Sequence, residues 1–168
     1  MYHIHSKDSY SSSQYDGYLC LKPPVLLWVA ILFLSRSITL PLIVGVGKFA
    51  GVNDDALTVL RQFWSVETFA PSLLAAIVLY TLIRRVPSAS RTVRWIFAHG
   101  HLFLASSAGI DFILSSIAVV RIGNFEGGAL LSLSSAAFDA YFLLYLLLAR
   151  RVRDTFSEFP VPNDAPTA

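Results

Sequence analysis

Three ionisable side chains stand inside stretches that are otherwise apolar: Arg36, Asp111 and Asp139. A guanidinium offers five donors in a planar fork, which suits two carboxylates at once. Such a set can do one of two things away from water. It can pin helices together as a neutralised ion cluster. It can also move protons: with one cation and two acids, full ionisation leaves an unbalanced negative charge in a low dielectric, and a proton held on one carboxyl removes it. Both roles stay open at the level of sequence. Ser107, Asp111 and Ser115 recur at i, i+4 and i+8, on one face of a helix, and Ser135 precedes Asp139 by one turn. These serines are the expected polar support of the cluster.

Other chemistry is poorly provided for. The chain has no H-E-x-x-H and no G-x-S-x-G, and its single Cys20 excludes an internal disulfide and a cysteine metal cage. His3 and His5 form a His-x-His pair with no third ligand beside them, and His99 and His101 point to nearly opposite sides of a helix. Gly45, Gly47, Lys48 and Gly51 mimic a nucleotide loop, but the spacing is wrong and Phe49 stands where Ser or Thr is needed. The expectation is a protein without catalytic residues, cofactor or metal, not an enzyme.

The elements that must position the cluster are long apolar runs. The chain of 168 residues is 55% hydrophobic and 14% charged, with a mean hydropathy of +0.59; soluble domains carry about 25% charged residues. The surplus calls for lipid as a partner. A net charge of +2 with clustered basic residues speaks against nucleic acid. Residues 25–47 are long enough for the roughly 30 Å of hydrocarbon in a bilayer, yet carry Arg36 at their centre. A lone arginine there costs about 2.5 to 3.5 kcal/mol on insertion scales, so other segments must supply its counter-charge. Further spans fall at about 67–83, 102–120 and 129–149, and Arg36, Asp111 and Asp139 lie near the middle of theirs. Their depths agree within about 5 Å.

Pro23 and Pro24 start the first span, Lys22 stays at the headgroups and Trp28 lies near the interfacial belt. Pro41 is expected to kink the span just beyond Arg36. Small residues at Ala105 and Gly109, and at Ser132, Ala136 and Ala140, let the third and fourth helices approach closely or serve self-association. Between the first two spans, Leu57, Leu60, Phe63 and Trp64 share one side of a short helix, read as interfacial. Residues 1–20 and 154–168 read as polar tails, leaving 21–153 as the transmembrane domain.

The run Y-D-G-Y-L-C-L-K-P-P-V-L-L-W followed by F-L-S-R-S resembles the start of the YfeZ-like bacterial inner-membrane proteins, small polytopic proteins with no assigned function. The resemblance rests on Tyr15, Gly17, Leu21, Lys22, Pro23, Pro24, Leu27, Trp28, Phe33, Leu34 and Arg36, over roughly the first quarter of the chain. It implies an inner-membrane location and supplies no catalytic residues.

Charge sets the expected orientation. Lys7, Lys22, Arg84, Arg85, Arg91, Arg94, Arg150, Arg151 and Arg153 fall on one side of four spans, against Lys48, Arg61 and Arg121 on the other. The positive-inside bias places both termini in the cytoplasm. The expected fold is all-α: a polytopic four-transmembrane-helix bundle with a short interfacial helix. The expected function is that of a structural subunit or of a partner to a membrane protein or a second copy. The alternative is a small proton-coupled transporter or channel component using Asp111 and Asp139.

Overall fold

The structure is a computed structural model and describes residues 10–51, 68–122 and 127–160. The described residues hold α-helices and no strand: α1 (Val25–Leu34), α2 (Arg36–Phe49), α3 (Phe69–Ile83), α4 (Arg91–Ala98), α5 (Gly100–Ile122), α6 (Gly127–Leu148) and α7 (Arg150–Ser157). A 3-10 turn at Ser12–Gln14 precedes them. The interfacial helix expected around 57–64 lies outside the described residues, as do His3 and His5.

Helix α5 is the centre. It packs against α6 most extensively and also against α1, α3, α4 and α7. Leu27, Ile31 and Leu34 of α1 meet Ala75, Val78 and Leu82 of α3 and Leu104 and Ala108 of α5 in one core. The outside is apolar as well: Val29, Leu32, Ile77, Ile113, Phe138 and Leu144 are exposed along the same helices. A helix apolar all round belongs in a large core or in lipid. Among the described residues one helix, Gly100–Arg121, is by itself long and apolar enough to cross a membrane. Two bent pairs, Val25–Leu34 with Arg36–Phe49 and Ser132–Leu148 with Arg150–Ser157, raise the number to three if each pair is one span. Phe69–Ile83 is shorter; its 15 residues rise about 22 Å.

The first long run breaks differently from expectation. The bend of 78° falls at Ser35, before Arg36, and Pro41 sits inside α2. The glycines that mimicked a nucleotide loop are part of this helix: Gly45 and Gly47 lie within α2, and Gly51 beyond its end takes φ +72, the left-handed conformation that closes helices. The third run, 102–120, lies within the continuous helix α5, and α4 meets α5 just before it at His99.

Of the tails expected over 1–20 and 154–168, residues 10–20 and 154–160 are described, and these are packed. Residues 10–22 and 150–160 pack together as a cap over the end of the bundle where α1 and α5 start and α3 and α6 finish. Arg85 fastens it, donating from Nη1 to the Leu21 carbonyl at 2.9 Å and from Nη2 to the Glu158 carbonyl at 2.7 Å. The Leu21 N–H donates to Glu158 Oε2 at 2.7 Å, and the Tyr10 hydroxyl to Asp154 Oδ2 at 2.8 Å. Phe97 lies under the guanidinium of Arg85 and against Phe156 and Phe159. Composition missed this because serine is dense in the first segment and polar residues and proline in the second; the signal was the aromatic residues among them.

Within the cap, Asp16 turns the chain. Its Oδ1 accepts from the N–H groups of Tyr18 and Cys20, and Leu19 takes φ 58 to close the turn. Cys20 is withdrawn from water, and burial pushes its thiol above the ordinary value, against the opposing pull of Arg85. Burial also pushes the Tyr10 phenol up, and its hydrogen bond to Asp154 adds to the rise.

Candidate functional site

The break at Ser35 creates the site. Ending α1 there deprives its last carbonyls of helical partners, and side chains satisfy them. The Ser35 hydroxyl donates to the Leu32 carbonyl at 3.2 Å, Arg36 Nη1 to the Phe33 carbonyl at 3.3 Å, and the Ser72 hydroxyl of α3 to the Leu34 carbonyl at 2.8 Å. The Ile38 and Thr39 N–H groups turn to the Ser35 carbonyl. The Ser37 and Thr68 hydroxyls bond each other, fixing the start of α2 to the start of α3. Broken backbone deep in an apolar bundle persists only with such partners. The bend thus rests on local caps and on the tertiary contact from Ser72; Pro41, six residues on, does not set it.

Arg36 opens α2 and turns toward α5 and α6. Its Nη1 stands 3.2 Å from Asp111 Oδ2 and 3.3 Å from Asp139 Oδ1, and Nη2 lies 3.5 Å from Asp139 Oδ2. The guanidinium also donates to the Ser135 hydroxyl at 3.0 Å and lies 4.5 Å from the centroid of the Phe33 ring. Both carboxylates are fully buried, whereas the Arg36 side chain is 12% exposed. The structure therefore brings together the three charges singled out in the sequence, from three elements distant along the chain.

The two acids are unequal. Asp139 accepts from Arg36 on both oxygens, and its Oδ2 also accepts from the Ser115 hydroxyl at 3.3 Å and the Ser135 hydroxyl at 3.4 Å. Asp111 has the ionic contact with Arg36, but among the described residues neither of its oxygens accepts a hydrogen bond. The short distance without a hydrogen bond means that no guanidinium N–H is aimed at it.

Ser107 does not join this set. It shares a helix face with Asp111, but one turn nearer the cap, where its hydroxyl donates to the Pro71 carbonyl at 2.8 Å and ties α5 to α3. Phe33, Ser35 and Ser72 are the functional neighbours that sequence reasoning missed. The serines flanking Arg36 in S-R-S were the available signal.

Among the described residues no group of three His, Cys, Asp or Glu could hold a metal ion. His99 Nδ1 meets the Trp95 carbonyl at 2.9 Å.

Among the described residues the fold and the site define an all-helical protein with an apolar exterior and an ionic cluster of buried carboxylates at a helix break. The chain belongs to the family described as Protein of unknown function (DUF2919), which matches residues 10–158. The matched region runs from Tyr10 to Glu158, and so takes in the charge cluster and all of the cap but its last two described residues, Phe159 and Pro160. Among curated proteins and among solved structures, none matches the chain.

Proposed function

We propose that the chain is a non-enzymatic, multi-pass protein of the bacterial inner membrane that serves as a structural subunit, partnered by another membrane protein or by a second copy. Its four spans run near 25–47, 67–83, 102–120 and 129–149, the first broken at Ser35, with both termini in the cytoplasm. The YfeZ-like resemblance of the first quarter supports the location, and the basic residues gathered at one end of the bundle support the orientation.

The observation that carries the reading is the ionic cluster with both of its carboxylates buried. Asp111 and Asp139 are both fully buried, and Ser115 is buried against Asp139. An ionic cluster with both carboxylates buried holds helices in register. Between apolar helices in lipid, burial adds little drive, so polar contacts and close packing decide which helices associate. Chemical cross-linking in native membranes followed by purification is expected to yield one defined membrane partner or a dimer. Recovery of the cross-linked chain as a monomer alone contradicts this role.

A second reading has its own observation. The Asp111 carboxyl accepts no hydrogen bond, and it faces a discontinuous helix, an arrangement that transporters use for binding sites near mid-membrane. On this reading Asp111 carries an exchangeable proton while Asp139 stays paired with Arg36. Proton flux into liposomes holding the purified protein, abolished by Asp111→Asn, is the expected result. Flux no greater than in empty liposomes removes the transporter reading.

A further inference from the structure

We propose that the capped end of the bundle binds the headgroups of anionic phospholipids, through Arg84, Arg91 and Arg153. The inference rests on the membrane reading above. Two independent observations carry it, one of shape and one of charge.

The shape comes from two short helices turned away from long ones. Helix α7 leaves the direction of α6 by 63° at the break before Arg150. It buries Val152, Thr155 and Phe156 against the bundle and leaves Arg150 and Arg153 exposed. Helix α4 likewise buries Phe97 and exposes Arg91 and Trp95, and Phe97 meets Phe156 where the two helices pack. Helices that cover the end of an apolar bundle with arginine outward lie at headgroup depth. Ile83 and Trp95 are exposed at this end too, so apolar surface adjoins the arginines. A phosphodiester with an acyl chain attached fits that pairing, and a free anion does not use it.

Charge supplies the second argument. Every acid described in the cap is already engaged. Asp16 accepts from Tyr18 and Cys20, Glu158 accepts from Leu21, and Asp154 accepts from Tyr10 and lies 3.9 Å from Arg150. Arg85 is spent on two carbonyls and remains a cation. Arg84, Arg91 and Arg153 are exposed and have no carboxylate within ion-pair distance among the described residues. A basic residue near an anionic bilayer surface raises binding by roughly fivefold, so three of them select strongly among headgroups.

The test uses the full chain in nanodiscs of phosphatidylcholine with a minor fraction of phosphatidylglycerol, and spin-labelled forms of both lipids read the shell around the protein. Phosphatidylglycerol is expected in that shell at more than fivefold its bulk share, falling toward bulk as salt rises. The combined Arg84→Gln, Arg91→Gln and Arg153→Gln variant is expected to lose the preference. A shell of bulk composition around the native chain overturns the proposal, as does a preference that survives high salt. If the variant does not insert, the salt titration of the native chain decides alone. A chain that enters no nanodisc of either composition overturns the membrane reading instead.

Discussion

Arg36 and Arg85 are both largely withdrawn from water, yet they solve opposite problems. Arg36 is there for its charge: two acids from α5 and α6 converge on it, and its donors go mainly to ionised or hydroxyl partners. Arg85 is there for its shape. It reaches the carbonyls of Leu21 and Glu158, which are neutral, and rests on the Phe97 ring. The first holds helices together deep in the bundle; the second fastens the two ends of the chain over its rim. A buried cation facing acids depends on charge balance, so removing one partner strands another charge. A cation facing carbonyls leaves only unpaired acceptors when lost, a penalty of about 1 to 3 kcal/mol each.

That contrast breaks or sharpens at specific positions. The largest effect belongs to Asp139. Asp139→Asn removes the carboxylate that Arg36, Ser115 and Ser135 all address, and is expected to destabilise the protein by about 3 to 5 kcal/mol. Asp111→Asn keeps the shape of a carboxyl that accepts no hydrogen bond, and is expected to cost under about 1 kcal/mol. Unfolding by denaturing detergent, titrated from a mild micelle, reads both. Equal losses would dissolve the distinction between the two acids.

A smaller effect probes the cap. A Cβ at position 100 would stand 2.5 Å from Cε1 of Phe156, whose ring is buried. Gly100→Ala is therefore expected to push α7 outward, at a cost of about 1 to 3 kcal/mol. Cys20 reports it, since the thiol is buried in the closed cap. Maleimide labelling of Cys20 should quicken in Gly100→Ala and stay slow in Asp139→Asn if the two regions are independent.

The smallest effect is in pH. Burial raises the Cys20 thiol, so less thiolate exists at neutral pH than in a free cysteine with its value near about 8.5. The labelling rate of the native chain should keep rising with pH past the point where the denatured chain levels off. Coincident pH profiles would mean that the cap does not shelter this thiol.

The charge cluster was legible because charge in an apolar run is conspicuous, and because counting from span ends gives depth. Arg36, Asp111 and Asp139 needed no structure to be paired in thought. The bend at Ser35 was not legible. Pro41 is the local breaker, but the Leu34 carbonyl at the bend is taken by Ser72 of α3, a contact that is not local in sequence, while Arg36 reaches the Phe33 carbonyl only three residues back. Ser107 shows the limit of a face argument: it shares the face of Asp111, but one turn of rise moves it to a different neighbour. The cap was hidden by composition. In D-T-F-S-E-F-P the polar residues suggested a tail, while Phe156 and Phe159 pack against Phe97.

The central claim is that Arg36 is held chiefly by Asp139, across the break between α1 and α2. A double-mutant cycle of Arg36→Gln and Asp139→Asn, with unfolding free energies measured in one detergent, tests it most directly. The account predicts that each single change is severe and that the double variant recovers much of the loss, giving a coupling of about 2 kcal/mol or more. Additive losses, with coupling near zero, would contradict it.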